Sequence, residues 1–274
     1  MKPGHVLFEL SMWGGAVERR YRKLRPEVED LPWDSLDLSR ASPAAVLAGR
    51  TTWTEAAFQE HRTGAACAAT LQALISARAP IDLVAMASRF SLDEMVHVEM
   101  CARLAQLLGG GAPIAYDPKA IIVLPAPELS PLLAAAELVV RNFCVGEALS
   151  IPILRGSWHA TKQPLIKAIL ARIVKDEAAH GAFGWIFLDW ADQELNDQDR
   201  VHLSKQTALT MDAVIERWAF IPLVEDETEE DRLGWMEKKT YVSMARRSLR
   251  KAVLEPLRAH GVDPEPWMKQ SIDA

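Results

Sequence analysis

Two five-residue motifs limit the possible folds of this chain most strongly. Residues 93–97 read Asp-Glu-Met-Val-His, and residues 176–180 read Asp-Glu-Ala-Ala-His. Positions three apart lie about 60° from one another around an α-helix, so each Glu and His would share one helical face. A chain of this composition contains such a motif about 0.03 times by chance. Its presence twice therefore predicts two helices that each offer a carboxylate and an imidazole to one shared site.

A single Glu precedes each motif at a similar distance, which indicates an internal repeat. Glu60 comes 34 residues before Glu94, and Glu147 comes 30 residues before Glu177. Each half of the chain thus supplies one isolated Glu and then a Glu-x-x-His. One Glu from each of two helices and Glu-x-x-His from each of two others form a di-metal carboxylate site in a four-helix bundle.

Other acidic residues compete for the two isolated positions. Glu55 is the alternative to Glu60, but it lies near a predicted helix start, where it has capping-box spacing from Thr52. Glu137 is the alternative to Glu147, and a regular helix would turn it about 80° from the face of Glu147. We therefore prefer Glu60 and Glu147 as candidate ligands.

Hydrophobic periodicity and capping signals predict an all-α chain. Four long helices are expected, at Thr52–Ser76, Asp82–Leu108, Ser130–Leu154 and Pro164–Asp192. The connection between the second and third, residues 109–129, is long and rich in Gly and Pro, whereas the other two are short. This loop pattern is typical of a bundle with one long crossover. Residues 120–124 could be extended, and Pro152 either ends or kinks the third helix.

The regions outside the bundle are predicted to pack on it. Residues 1–50 look irregular or briefly helical and form an N-terminal extension, and residues 51–195 form the bundle. Residues 196–274 add helices near Asp199–Phe220 and Arg232–His260. Tryptophans in these flanking regions suggest either a roof over a substrate pocket or the interface of a homodimer.

Charge and hydropathy exclude several classes of protein. The net charge is −6 with no basic block, so nucleic acid is not an expected partner. The chain has no run of 18 apolar residues, so no membrane span is predicted. The first ten residues lack the apolar core of a signal peptide. With only three cysteines and no Cys-x-x-Cys pair, neither a disulfide framework nor a thiolate zinc module is expected. A cytoplasmic location fits these features.

The cysteines and one glycine occur near the candidate ligands. Cys67, Cys101 and Cys144 could all face the bundle interior, either as small buried apolar residues or as the lining of a pocket. Gly64, one turn after Glu60, would either leave space for O₂ or a substrate or allow close helix packing.

Taken together, the motifs resemble those of ferritin-like di-iron carboxylate proteins, over roughly residues 52–192. The resemblance implies a ferritin-like four-helix bundle and two iron ions cycling between Fe²⁺ and Fe³⁺, with manganese as the alternative. It also implies that Asp93 and Asp176, beside the ligand Glu residues, each orient the His of the opposite motif. The metal ligands that it implies are Glu60, Glu94, His97, Glu147, Glu177 and His180.

The chain lacks residues that characterise some groups of this family. A tyrosyl-radical protein needs a Tyr near the irons, but Tyr21, Tyr116 and Tyr241 lie outside the four predicted core helices. The aminobenzoate N-oxygenase group has an additional His where this chain has Ile173. The remaining resemblance is to the oxygen-activating branch, which includes the acyl carrier protein desaturases and the aldehyde-deformylating oxygenases.

This resemblance implies an O₂-dependent oxidase or oxygenase that acts on a small organic molecule and draws electrons from an external donor. A biosynthetic pathway is one setting for such a reaction. The alternative is a ferroxidase or peroxide scavenger without an organic substrate. A third hypothesis is a structural or partner-binding bundle.

Overall fold

The computed structural model describes residues 4–219 and 232–272, and these residues are mostly helical. The only strands within them are β1 (Val6–Leu7) and β2 (Ala115–Tyr116), which pair antiparallel. The prediction of an all-α chain is therefore confirmed for the described residues. The helices are α1 (Gly15–Leu24), α2 (Pro43–Ser76), α3 (Ile81–Leu107), α4 (Pro131–Val139), α5 (Ala148–Ala160), α6 (Pro164–Ala191), α7 (Asp197–Ala219), α8 (Lys238–Ser248) and α9 (Glu255–Ala259).

Four rods enclose the interior: α2, α3, α6 and the continuous helix formed by α4 and α5. α2 packs along α3 and against α4, α3 packs on α6, and α6 packs on α5. A π-helical segment, Val140–Glu147, joins α4 to α5. The connections at residues 77–80 and 161–163 are short, whereas residues 108–130 form a long link. The predicted order of short, long and short connections is thus present.

The first rod begins nine residues earlier than predicted. α2 begins at Pro43, where the Ser42 hydroxyl accepts a hydrogen bond from the Ala45 N–H at 3.1 Å. Ser before Pro is a strong start signal, since the hydroxyl satisfies a free N–H and proline needs none. Thr52 therefore lies within the helix, and the capping role proposed for it was wrong.

Pro152 does not end the third rod, which continues to Ala160. Proline removes one backbone donor, but α5 packs on both α6 and α8, and this packing holds the helix together. At the other end the prediction was accurate, because the Ser130 hydroxyl caps α4 by accepting from the Leu133 N–H at 3.2 Å.

Two predictions outside the rods need correction. Residues 120–124 are not a strand, because a short 3₁₀ turn at Pro118–Ala120 leads into bends. The last long helix starts at Lys238 rather than Arg232, and a second π segment, Leu249–Leu254, joins α8 to α9. The predicted end of α7 at Phe220 lies outside the described residues.

Individual contacts join the flanking regions to the rods. Arg25, 1% exposed, pairs with Glu99 of α3 at 2.5 Å and so ties the N-terminal region to that helix. The buried Leu233 accepts a hydrogen bond from the Trp53 indole N–H at 2.7 Å through its carbonyl. No helix among the described residues is long and apolar enough to cross a membrane.

Candidate metal centre

The two Asp-Glu-x-x-His motifs lie in the middle of α3 and α6, and these helices pack on each other. Glu94, His97 and His180 are fully buried, and Glu177 is 2% exposed. The spacing of three residues places each Glu and His on the inward face of its helix. The motifs therefore meet inside the bundle, as their sequence pattern predicts.

Glu60 of α2 and Glu147, at the end of the π segment, complete the cluster. One group of ligand atoms, all within 4.8 Å of one another, comes from Glu60, Glu94, His97 and Glu177. A second group, within the same limit, comes from Glu94, Glu147, Glu177 and His180. Glu94 and Glu177 belong to both groups. The structure thus brings together all six side chains that the sequence singled out.

The rival carboxylates lie elsewhere. Glu55 is exposed on the outer face of α2. Glu137 is buried but already paired, because it accepts a hydrogen bond from Arg141 at 3.0 Å and lies 2.8 Å from Nε2 of His202. Neither residue belongs to the cluster.

In each imidazole, Nδ1 faces the carboxylates. Nδ1 of His97 lies 3.4 Å from Glu177 and 3.7 Å from both Glu60 and Glu94. Nδ1 of His180 lies 3.0 Å from Glu94 and 3.2 Å from Glu177. The same nitrogen of each ring is therefore directed at the space between the shared carboxylates.

The opposite nitrogen of each ring faces an Asp from the other motif. Nε2 of His97 lies 3.2 Å from Oδ2 of Asp176, and Nε2 of His180 lies 3.6 Å from Oδ2 of Asp93. This crossed arrangement is the one that the resemblance implied for Asp93 and Asp176. A carboxylate at Nε2 favours a proton there, which leaves Nδ1 free to bind a metal.

Two arginines that the sequence reasoning missed contact these Asp residues. Arg172 pairs with Asp176, and Nε of Arg89 lies 3.1 Å from Asp93. Both Arg residues come four positions before their Asp, so the repeated unit is Arg-x-x-x-Asp-Glu-x-x-His. Extending the comparison of the two motifs by one helical turn would have found them.

The four carboxyls form two pairs, one with a raised pKa and one with a lowered pKa. Burial, reinforced by the charge of Glu94, raises the pKa of Glu60 to about 8. Burial and the charge of Glu177 raise the pKa of Glu147 well above its ordinary value. Burial also raises the pKa of Glu94 and Glu177, but the two adjacent imidazoles outweigh it and lower the pKa of both carboxyls.

The imidazoles hold protons strongly in this environment. Burial lowers the pKa of His180, yet Asp93 and Glu177 outweigh it and raise the pKa to about 12. Burial likewise opposes the charged form of His97, but Asp176 and Glu177 raise its pKa well above the ordinary value. Without a metal, protons must therefore neutralise the cluster, and a bound cation would displace them.

Several buried polar atoms of the cluster have no hydrogen-bond partner among the described residues. Leaving such atoms buried and unpaired costs free energy. All of them except Nε2 of His180, which faces Asp93, lie at the space between the shared carboxylates, and their chemistry, oxygen and imidazole nitrogen, fits a metal ion. They are Oε1 and Oε2 of Glu94, Nδ1 of His97, Oε2 of Glu177, and Nδ1 and Nε2 of His180.

The glycine and the cysteines near the cluster are packed tightly. A Cβ on Gly64 would lie 2.4 Å from Cε of Met95 and 3.2 Å from Cβ of Glu94. Of the two roles considered for Gly64, the structure therefore supports close packing of α2 on α3. Cys67, Cys101 and Cys144 are free and buried.

Access to the cluster is restricted. Apolar residues lie beside it: the Phe90 ring centroid lies 4.4 Å from that of His180, and Val96 and Ile173 are buried on the helices that carry the two motifs. Glu60 retains 17% of its side-chain exposure and is the edge of the cluster that reaches solvent. Two surface clefts, beside Trp267 and beside Trp33, do not border the cluster.

Comparisons with models of protein families, with curated proteins and with solved structures found no match to this chain.

Proposed function

We propose that this chain is a non-haem di-iron oxidase or oxygenase with a ferritin-like bundle. One observation carries the proposal: two groups of four ligand atoms share Glu94 and Glu177. Two groups that share two carboxylates would suit a pair of cations, with Glu94 and Glu177 available to both. Four carboxylates would also balance the charge of two Fe²⁺ ions.

The order of the helices supports a ferritin-like arrangement. α2 and the third rod each provide one Glu, and α3 and α6 each provide Glu-x-x-His. This is the ligand pattern of the di-iron and di-manganese carboxylate bundles. The long link between α3 and α4 has the position of the single crossover in such bundles.

The donor set favours iron, with manganese as the alternative. Both groups consist of carboxylate oxygens and one imidazole each, with no thiolate. Oxygen donors with imidazole suit these metals, whereas thiolate sites select zinc or copper(I). A bound iron pair would supply the reaction with O₂, and an external electron donor would be needed to reduce it between turnovers.

The chain itself would hold the metals and exclude water. The buried carboxylates fix the metal positions, and the Asp residues orient the imidazoles. The rings of Phe90, Phe143 and Phe183 contact one another beside His180 and keep that side apolar. Apolar walls of this kind suit an oxidation that must be protected from bulk water.

A ferroxidase or peroxide scavenger is the second candidate, and the exposed edge of Glu60 favours it. The Glu60 side chain is partly exposed beside a cluster that is otherwise buried, and this edge would be the place for Fe²⁺ to enter. In that case the iron would be the substrate as well as the resident metal.

The reaction with excess iron distinguishes these functions. Metal-free protein is loaded anaerobically with about ten Fe²⁺ per chain, exposed to O₂, and followed by absorbance and by O₂ consumption. We expect oxidation to stop after the two bound ions, and to resume only when a chemical reductant is added.

Rapid oxidation of the whole excess would support the ferroxidase and contradict the oxidase. Absence of any faster oxidation than in protein-free buffer would contradict both. Glu60→Ala should lose the oxidation of the bound ions, whereas Glu55→Ala, a change on the exposed face of the same helix, should retain it.

A further inference from the structure

The two arginines that precede the motifs are placed very differently, although their sequence positions correspond. Arg172 has a side chain only 12% exposed, whereas the side chain of Arg89 is 68% exposed. Each contacts the Asp four residues later on its own helix, and that Asp faces the imidazole of the opposite helix. Both imidazoles are fully buried, so the two candidate metal positions differ in the contacts behind each imidazole and not in their own exposure.

On the His97 side, a continuous chain of contacts runs from the surface to the imidazole. Arg172 pairs with Asp176 through Nη1, and its Nη2 donates to Oε1 of Glu27 at 2.7 Å. Oδ2 of Asp176 lies at hydrogen-bond distance, 3.2 Å, from Nε2 of His97. The guanidinium is thus held from two directions, and it holds the carboxylate that faces His97.

On the His180 side, the corresponding contacts are looser. Arg89 reaches Asp93 through Nε alone, at 3.1 Å and 3.3 Å from the two oxygens. Oδ2 of Asp93 lies 3.6 Å from Nε2 of His180, which is beyond a normal hydrogen bond. This Nε2 is buried and has no hydrogen-bond partner within the described part of the chain.

These contacts should have unequal effects on metal binding. An exposed ion pair contributes little, because both side chains remain mobile and solvent screens the charges. A half-buried guanidinium with two carboxylate partners is far more restricted. Groups that orient a metal-binding His affect metal affinity by about 10–100-fold when they are removed.

We propose that Arg172 is a positioning residue that fixes His97 through Asp176 and makes the metal position at His97 the tighter of the two. The inference rests on the proposed metal centre. It adds an order of filling, with the His97 position first and the His180 position second.

Titration of the metal-free, full-length protein with Co²⁺ tests this order, since the visible absorption of Co²⁺ reports its ligands. The wild type should bind in two steps. Arg172→Gln should weaken the first step by about tenfold or more and leave the second unchanged. His97→Ala should remove the same step, which assigns it. Arg89→Gln is the matched control and should leave the first step as it is in the wild type.

Glu27→Gln provides a variant at an exposed position, in case Arg172→Gln does not fold. It releases one of the two contacts of Arg172 and should weaken the first step only, by less than Arg172→Gln does. Thermal unfolding of the metal-free variants shows whether weaker metal binding comes from a displaced imidazole or from a less stable protein.

The inference is overturned if Arg172→Gln and Glu27→Gln leave the first step unchanged, or if both steps weaken equally as the protein loses thermal stability. An equal loss in Arg89→Gln would also overturn it, because the two sides would then be equivalent. If the wild type binds no Co²⁺ at all, the metal centre itself is wrong, and the inference falls with it.

Discussion

At the scale of single residues, four carboxylates and two imidazoles from different helices come together in one cluster. The six carboxylates and imidazoles could be found because a repeated motif needs only the 3.6-residue period of a helix. Asp93 and Asp176 were predicted from the family resemblance. Arg89 and Arg172 were missed because an i, i+4 contact between Arg and Asp is common on helix surfaces and carries no functional signal by itself.

The pKa of Glu60 leads to a prediction about stability. This carboxyl has a pKa raised to about 8 from an ordinary 4.5, so its contribution to stability is present at low pH and is lost as pH rises through about 8. The melting temperature of the metal-free protein should therefore fall by at least about 2 °C between about pH 6 and about pH 8.5.

Calorimetry of metal-free wild type and Glu60→Gln at the two pH values checks this. The variant has no carboxyl to titrate, so its decrease should be smaller. A melting temperature that rises over this interval, or an equal decrease in both proteins, contradicts the assignment.

At the scale of helices, the ends were predictable where a local cap dominates, and not where packing decides. The predicted helix start at Ser130 is confirmed, whereas α2 begins at the Ser42-Pro43 pair and not at the weaker capping box at Thr52. Helix continuation through Pro152 depends on contacts with α6 and α8, which no local pattern shows. The π segment that ends at Glu147 also has no sequence signature. Such segments often occur at functional sites.

Close packing of α6 on this π segment predicts a marked effect of one methyl group. A Cβ on Gly184 would lie 2.6 Å from Sγ and 3.0 Å from the backbone N of Cys144, and the backbone cannot easily move away. Gly184→Ala should therefore lower the free energy of unfolding by about 1–3 kcal/mol.

Gly146→Ala is the matched control, because this glycine lies in the π segment, is exposed, and has only an ordinary contact at 3.6 Å. It should be neutral or slightly stabilising in urea denaturation, since alanine restricts the unfolded chain more than glycine does. Equal loss of stability in the two variants would show that the close approach of α6 does not matter.

At the scale of the whole molecule, the sequence made the all-helical class predictable. The internal repeat, one Glu and one Glu-x-x-His in each half, also predicted the side chains that come together among the described residues. The packing of the flanking regions follows from long-range contacts such as Arg25 with Glu99 and Trp53 with Leu233, which have no short-range pattern. The residues around the candidate metal centre would select the substrate, and the two motifs contain no information about them.

Metal content tests the central claim most directly. Protein freed of metal is reconstituted anaerobically with Fe²⁺, passed through a desalting column, and analysed for iron per chain, with circular dichroism to confirm that each variant is helical. Two irons per chain are predicted for the wild type and for Glu55→Ala, and close to none for Glu94→Ala, because Glu94 belongs to both ligand groups. A wild type that retains far less than one iron, or a Glu94→Ala variant that retains as much as the wild type, would contradict the account.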